Sequence, residues 1–501
     1  MLTHFVLVAI LLTVLYRGAW IIYNLYFHPL AKFPGPKIHA ASRLAWNYAI
    51  LRGDMVRSLR DLHAKYGPVV RMTNNDLSII TPTAWREIYS HTSNRTFMKD
   101  EKAYGVPLNS EARSLLTAFE EDHARCRRLM SHAFSDRALR DQQGLLKSYV
   151  DSLVKNLEDR AKGGPKEATT VDISQWYNFT TFDVIGDLAF GSSFDCLKEE
   201  ALHPWAFLIF ASIKAIVVFS VAEKYWPINK ILLFISKRAG GAEKQAYHVQ
   251  LTKEKLKQRL AIKTDRPDFI TYILRHNDEK GMSIQELEAN ASLLIKAGSE
   301  TTATGLSGAT YLLLKNPDKL EILVKEIRST FTSVDQMDAT NLSNCKYLDA
   351  CLKESLRMYP PVPVGLPRKA TEDTVVSGWR IPKGTTVQIP SWSSNYWPEN
   401  FNNPKTFAPE RWLAKDPSSP YFNDHLESCE PFSLGPKNCI GKNLAWLELR
   451  LILARVLYAF DLELLDSDWD PEQQKVYLLW QKPPLNVRLT PRNYGTEDLA
   501  N

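Results

Sequence analysis

The sequence predicts a mainly α-helical body with a small β region, carried on an N-terminal membrane anchor. Three observations predict it. The apolar run "FVLVAILLTVLY" (5–16) is interrupted by Arg17 and resumed by "GAWIIYNLYF" (18–27). A capped, strongly apolar helical pattern runs from Ser283 to about Lys315. Strand-like stretches are few and short, at "VVRMT" and "LSIITP" within 69–82 and at "WRIPKGTTVQIP" (379–390), where Pro382-Lys383-Gly384 makes a turn. A chain of 501 residues, 45% of them apolar, can bury a large core.

The stretch Leu2 to Phe27 is long enough to span a bilayer if Arg17 snorkels or pairs. Trp20, Tyr23, Tyr26 and Phe27 suit the membrane interface. Lys32, Lys37 and Arg43 follow, and no Lys or Arg precedes the run, so the positive-inside rule places the body in the cytosol. No basic n-region or small-residue cleavage site marks a removable signal. A buried core helix is the competing reading. The sequons at Asn94, Asn178, Asn290 and Asn341 would go unused in the cytosol. The expected organisation is an anchor over 1–27, a proline-rich connector over 28–45, a catalytic body over 46–490 and a flexible tail over 491–501. In the connector, "HPLAKFPGPK" (28–37) has three prolines in ten residues and is stiff and non-helical.

The net charge is +6, with Lys and Arg interleaved among Asp and Glu, so no nucleic-acid partner is indicated. Six cysteines without a C-x-x-C pair fit a reducing compartment.

In the long helix, Ser283 with Glu286 forms a capping box, and the helix would be roughly 45–50 Å long. Its polar knot "AGSETT" (297–302) puts Ala297 over Thr301 and Gly298 over Thr302, one turn apart. That is either a notch for a small ligand such as dioxygen or water, or a glycine-mediated helix crossing. Further on, Glu354 and Arg357 sit at i and i+3 before Pro360, a solvated pair by default. Arg411 in "FAPERW" (407–412) is positioned in sequence to join them in a buried, architectural network.

"PFSLGPKNCIGKNLA" (431–445) sets Cys439 between Gly435 and Gly441, in an irregular loop that leads into the helical pattern "IGKNLAWLELRLILARVLYAF" (440–460). Free N–H groups and the dipole at a helix N-terminus favour a thiolate. A thiolate with backbone donors and a close approach is what an axial haem-iron ligand requires. A buried free cysteine is the ordinary alternative, and the expected one for Cys126, Cys196, Cys345, Cys351 and Cys429.

On these motifs the sequence resembles the cytochrome P-450 family of haem-thiolate monooxygenases. "FSLGPKNCIG" (432–441) resembles its F-x-x-G-x-R-x-C-x-G haem loop, and "AGSETT" its oxygen-activating A/G-G-x-D/E-T-T. Glu354 and Arg357 resemble its E-x-x-R, and "FAPERW" its P-E-R region. The resemblance runs from the anchor to about residue 490. The anchor and proline connector resemble the microsomal type. "FTTFDVIGDLAFG" (179–191) and "HARCRRLMSHAFSDRAL" (123–139) resemble filamentous-fungal members of secondary metabolism.

The resemblance implies the family's fold, with haem b between a long central helix and the cysteine loop, and Cys439 as its axial thiolate. Phe432, Gly435 and Gly441 would shape the haem loop. His123, Arg127, Arg368 and Lys437 would face the propionates. Here the sequence departs from the family, with Lys437 for the usual Arg or His and His123 for Trp in W-x-x-x-R. Lysine keeps the charge but loses the bidentate fork. Thr301, supported by Glu300, would deliver protons at the oxygen-binding side. Dioxygen, electrons from an NADPH-cytochrome P-450 reductase and a lipophilic substrate complete the implied reaction, on the cytosolic face of the endoplasmic reticulum membrane. Arg125, Arg128 and Lys442 are candidate reductase-docking residues.

Two rivals stand beside this. A haem-thiolate isomerase or dehydratase would need neither dioxygen nor reductase, and the intact Glu300-Thr301 pair argues against it. A non-catalytic haem carrier is the other. Candidate substrate walls are "KDEKAYGVPLN" (99–109), "FLIFASIKAIVVF" (207–219), "PPVPVGLP" (360–367) and "YLLW" (477–480), mostly apolar, as for a polyketide or terpenoid.

Overall fold

The computed structural model describes residues 1–93, 95–104, 111–162, 169–222, 225, 228–238, 241–262, 264, 266–276, 281–465 and 469–492. The sequon at Asn94, most of the loop at 160–170, Ala239 and Gly240, residues 105–109 of one substrate wall and the tail from 493 lie outside them, as do the side chains of 207–213.

The helix Ile284–Leu314 is the axis of the body. Its N-terminus closes as a capping box: the Glu286 N–H donates to Ser283 Oγ at 3.2 Å, and the Ser283 N–H donates to Glu286 Oε2 at 2.9 Å. From Thr302 to Leu313 every residue is buried. Such a helix is held by packing on all sides. The helix Ile173–Phe190 crosses it at Gly298, where a Cβ would lie 2.6 Å from Ile185 Cδ1. Gly308 makes room in the same way for the Tyr359 ring. Tyr177 Oη and Thr310 Oγ1 bond across the first crossing at 2.9 Å.

The helices Lys346–Met358 and Lys442–Ala459 flank the axis on another side. They share its core, with Leu306, Leu356 and Leu449 in one buried cluster. A second, smaller core that includes Val69, Ile79, Trp85 and Val387 lies in the β region.

That region is built on a five-stranded sheet in the order Val69–Arg71, Asp76–Ile79, Thr386–Gln388, Arg368–Ala370, Phe97–Lys99. Only the Asp76–Ile79 and Thr386–Gln388 pair is parallel, with Leu77 opposite Val387. The turn at Pro382–Gly384 does not make a hairpin. Trp379–Ile381 pairs backwards with Thr374–Val376, while Thr386–Gln388 enters the larger sheet.

The helix Leu2–Ile22 has no buried residue and is long and apolar enough to cross a membrane. It ends in a π-turn, Tyr23–Phe27, that is not free. Asn24 is fully buried, and Arg71 Nη1 of the first strand donates to its carbonyl at 2.9 Å. Residues 28–36 are non-helical, and Leu30 and Phe33 insert into the smaller core. The Arg71 N–H donates to Pro34 O at 2.7 Å, and a Cβ on Gly35 would lie 2.5 Å from the Arg71 carbonyl oxygen.

Candidate active site

The cysteine loop is fixed by its glycine and by its own backbone. Gly435 has φ +70°, and a Cβ there would lie 2.0 Å from Tyr89 O, so no side chain fits. The Cys439 N–H donates to Phe432 O at 2.9 Å, folding the loop back on itself. Gly441 caps the helix Lys442–Ala459. A Cβ at Gly441 would meet only Phe134, at 3.9 Å, so no protein group demands a glycine there.

Of the six cysteines, Cys439 alone is exposed. Burial pushes the thiols of Cys126 and Cys345 up to about 11 and that of Cys196 up to about 12, and it raises Cys351 and Cys429 further. Those five stay protonated and inert. Surrounding protein also raises the Cys439 thiol. The Gly441 N–H and the charges of Arg127 and Lys442 act in the opposite sense, toward thiolate.

The central helix has a complementary opening. Ala297 is exposed and Thr301 half-exposed where the residues that follow are buried. The Thr301 hydroxyl donates to the Ala297 carbonyl one turn back. The polar knot therefore divides by face. Gly298 is a helix crossing, while Ala297 and Thr301 border open space. Thr302 turns inward and donates to Glu448 Oε2 at 3.1 Å. That bond, with Leu449 against Gly305, ties the cysteine-loop helix to the central one.

Glu300 does not share the Thr301 opening. Successive helical residues diverge by about 100°, and the Glu300 carboxylate is buried in an ion pair with Lys482. Lys482 Nζ also donates to Thr304 Oγ1 at 2.6 Å, and that hydroxyl donates to Glu300 Oε1 at 3.3 Å.

Four cations surround His123. Burial, then Lys99, Lys437, Arg127 and Arg368, depress its imidazole to about 3, so the ring is neutral. Lys437 pairs with Glu120 at 3.1 Å. Arg127 holds the Asn438 carbonyl and side chain beside Cys439, and Arg368 donates to Tyr104 Oη at 3.1 Å. Lys99 caps the carbonyls of Leu115, Leu116 and Ala118 at 3.0, 2.8 and 2.9 Å, and its amine is lowered to about 7 by burial and by Arg368. Glu120 is the carboxylate that pairs with Lys437 in this cluster. An excess of buried positive charge calls for an anionic ligand. The exposed thiol, the uncrowded Gly441, the open Ala297–Thr301 face and this cationic cluster together fit a haem with two propionates.

The architectural network is closed. Glu354 accepts from Arg357 at 2.9 and 2.8 Å, from Arg411 at 3.1 Å, from Trp412 at 2.9 Å and from the Ala408 N–H at 3.0 Å. Arg411 also pairs with Asp424. A solvated Glu354–Arg357 pair is excluded by their complete burial.

Sequence reasoning placed Lys99 in a substrate wall rather than among the cations around His123, and it missed Glu120, Asp424, Glu448 and Lys482. Glu120, Glu448 and Lys482 lie more than 100 residues from their partners, Asp424 lies 13 from Arg411, and none carries a local pattern. The docking assignment of Arg125 is corrected: its guanidinium pairs with Glu286 and Asp122 and donates to Gly281 O at 2.9 Å, bracing the start of the central helix. Lys442 is exposed, 6.0 Å from the Phe432 ring centroid.

Residues 36–489 match the family model described as Cytochrome P450. The chain is 44% identical to the Cytochrome P450 monooxygenase astA of Talaromyces wortmannii, over 96% of each chain. It is 40% identical to the Cytochrome P450 monooxygenase astJ of Aspergillus oryzae, again over 96% of each. It is 41% identical to the Trichothecene C-15 hydroxylase of Fusarium sporotrichioides, over 94% of this chain and 95% of that one. None of these relatives is named an isomerase or a dehydratase. The chain belongs to the cytochrome P-450 family, whose cofactor is a haem-thiolate, and it is a monooxygenase.

Proposed function

We propose that this monooxygenase hydroxylates or epoxidises a lipophilic small molecule, a fungal polyketide or terpenoid, with Cys439 as the thiolate ligand of haem b. The observation that carries the ligand assignment is the exposure of Cys439 alone among six cysteines, next to the Arg127–Asn438 contact. The fungal relatives, one named as a trichothecene hydroxylase, support the substrate class.

Haem held by Cys439 would supply activation of dioxygen, with a thiolate ligand favouring cleavage of the O–O bond. The residues of the chain do the rest. Arg127, Arg368, Lys437 and the neutral His123 would hold the propionates, His123 through its single N–H. Phe432, Gly435 and Gly441 would shape the loop and leave room beside the sulfur. Thr301 would hold a water at the open helix face by its hydroxyl, and Glu300 would supply protons. Trp480, whose indole N–H donates to Pro360 O at 2.7 Å, would join the half-buried residues of 360–367 in the apolar wall that orients the substrate.

Electrons would come from an NADPH-cytochrome P-450 reductase. The groove of about 260 Å³ beside the cysteine loop is lined by Lys353 and Lys442 together with Glu430 and the Arg450–Asp349 pair, and Lys353 and Lys442 are the residues there that would meet an acidic partner. The helix Leu2–Ile22 supports a single-pass anchor within 1–27 in the endoplasmic reticulum membrane, with the connector (28–45), catalytic body (46–490) and tail (491–501) in the cytosol. The test is expression with a fungal reductase and untargeted metabolite comparison against Cys439→Ala. A product that appears only with Cys439 and incorporates oxygen from dioxygen supports this function. A product formed without dioxygen overturns it.

A further inference from the structure

One cation of the central helix takes no part in the contacts described so far. Lys296 stands in the apolar run "LLIKAGSETT" (293–302), directly before the exposed Ala297. Ser292, Leu293, Lys296, Ala297 and Thr301 are all incompletely buried, and helical period sets them on one side of the helix. The open side bordered by Ala297 and Thr301 therefore continues past Lys296 to Ser292. Glu300, one turn beyond Lys296, is already held by Lys482. Helical side chains tilt toward the N-terminus, so Lys296 leans over Ser292 and away from Glu300. Among the described residues no hydrogen bond or ion pair holds its ammonium, and burial lowers it to about 8 with no carboxylate raising it.

A second donor stands beside it. Trp205, wholly buried on the helix Pro204–Ala222, donates its indole N–H to Nδ1 of His248 on the helix Gly241–Ala261. An indole N–H only donates, so Nδ1 is the acceptor and the imidazole proton sits on Nε2. Burial, and then the Lys296 charge, depress that ring to about 3, so it is neutral. His248 Nε2 lies 2.9 Å from Ser292 Oγ and donates to it. The serine oxygen is thereby an acceptor, and its own proton meets no acceptor among the described residues. Three helices thus orient one hydroxyl donor, one turn from a lone ammonium. The apolar walls at 207–219, 360–367 and 477–480 contain no Asp or Glu that could answer the pair. Two donors on one face without an acceptor call for an anion.

We propose that Ser292 and Lys296 form a carboxylate subsite in the substrate pocket, so that the lipophilic substrate is an acid. The inference rests on the monooxygenase reading and narrows its substrate class to polyketide or terpenoid carboxylic acids. The carboxylate would accept from the Ser292 O–H and from the Lys296 ammonium, while the Trp205–His248 chain fixes the serine oxygen as an acceptor. At a rise of 1.5 Å per residue, Ser292 stands about 13 Å along the axis from Thr301, and Lys296 about 7–8 Å. The acid group is anchored well away from the Thr301 face, and oxidation then falls on a carbon remote from it.

The test measures equilibrium binding by calorimetry, without turnover, in the full-length haem-loaded protein. The probes are farnesoic acid, dodecanoic acid and their methyl esters. The proteins are wild type, Lys296→Met, Lys296→Arg and Ser292→Ala. Wild type should bind each acid roughly 10-fold or more tighter than its ester, the scale of charge-assisted hydrogen bonds. Lys296→Met should bring that ratio to about 1, and Lys296→Arg should keep most of it. Ser292→Ala should lower the ratio and leave ester binding unchanged. A ratio near 1 in wild type, or an unchanged ratio in Lys296→Met, overturns the proposal. If Lys296→Met gives no folded protein, Lys296→Gln takes its place beside Lys296→Arg: loss of the preference in Lys296→Gln alone supports the subsite, and equal ratios overturn it. If wild type binds neither pair of probes, the compound that accumulates in a host carrying Cys439→Ala decides, a carboxylic acid supporting the subsite and a neutral compound overturning it. Failure of the monooxygenase reading is separate: the acid would then bind with the same preference, but neither NADPH consumption nor oxygen from dioxygen in a product would follow.

Discussion

Glu354 and Arg357 face each other through two hydrogen bonds, at 2.8 and 2.9 Å, and neither side chain reaches solvent. The remaining lone pairs of the carboxylate are taken by Arg411, Trp412 and Ala408, so the charge is fully compensated. Breaking such a pair from one side leaves a buried charge, at about 3–5 kcal/mol. Glu354→Ala and Arg357→Ala should therefore yield little folded, haem-loaded protein. Arg357→Lys should fail nearly as badly, because an ammonium cannot reproduce the fork. Yield of the carbon monoxide complex per total protein checks this, and a normal Arg357→Lys yield would overturn the role of the fork.

Cys439→Ala should abolish the red-shifted, thiolate-type carbon monoxide spectrum. The same change at Cys126, Cys196, Cys345, Cys351 or Cys429 should leave it in place, with some loss of stability from the cavity created. A normal spectrum in Cys439→Ala would remove the ligand assignment.

Thr301→Ala should keep haem content and much of the NADPH consumption, while product falls and hydrogen peroxide rises. A well-placed hydrogen bond is worth about 1–3 kcal/mol, so the partition should shift by roughly 5- to 150-fold. Thr302→Ala should disturb coupling less, since its hydroxyl faces Glu448 rather than the opening. The ratio of peroxide to product measures both.

Glu448 gives a pH dependence of stability. Burial raises its carboxyl from 4.5 to about 8, against the opposing Thr302 bond. Between those values the folded protein keeps a proton that the unfolded chain has lost. Stability therefore falls as pH rises from about 4.5 to about 8 and levels off above. Glu448→Gln keeps an acceptor for Thr302 and cannot ionise. It should be more stable than wild type at pH 8, by on the order of 2–4 kcal/mol, and nearly equal at pH 5. Denaturation midpoints at the two pH values decide it. A constant difference would show that Glu448 does not titrate in this range.

Removing the anchor should have two costs that separate. Deletion of residues 1–22 should release the protein toward soluble fractions and leave the body intact. Deletion of 1–27 also removes the Asn24 carbonyl and leaves Arg71 Nη1 without that partner. It should cost about 1–3 kcal/mol more, read as a lower melting temperature than the shorter deletion. Equal melting temperatures would show that the Arg71 contact contributes nothing.

The fold was legible wherever a signal is local. Ser283, Glu286 and Lys315 mark the central helix because capping is a matter of neighbouring residues. Cys439 stood out because its glycines lie within four residues of it. The Arg411–Glu354 contact was reachable from the charges of the two segments, as a buried network needing a second cation. Lys482 was not legible, since 182 residues separate it from Glu300 and a lone lysine after a strand has no pattern. Arg125 was misassigned for a related reason. A basic residue beside the haem region looks available in sequence, and only the tertiary fold shows Glu286 already holding it. The two faces of "AGSETT" could be counted from helical period, but which one met Ile185 depended on a helix more than 100 residues earlier.

The junction of anchor and body has a kinetic corollary. Arg71, Pro34, Gly35 and the buried Asn24 leave no slack between the membrane helix and the first sheet. With the helix Leu2–Ile22 in a bilayer, these contacts would hold the cysteine-loop face at one height and one inclination. Encounter with an electron donor held in the same membrane would then be a planar search in which two of the three orientational angles are already set, and electron supply would follow lateral density in the membrane rather than bulk concentration.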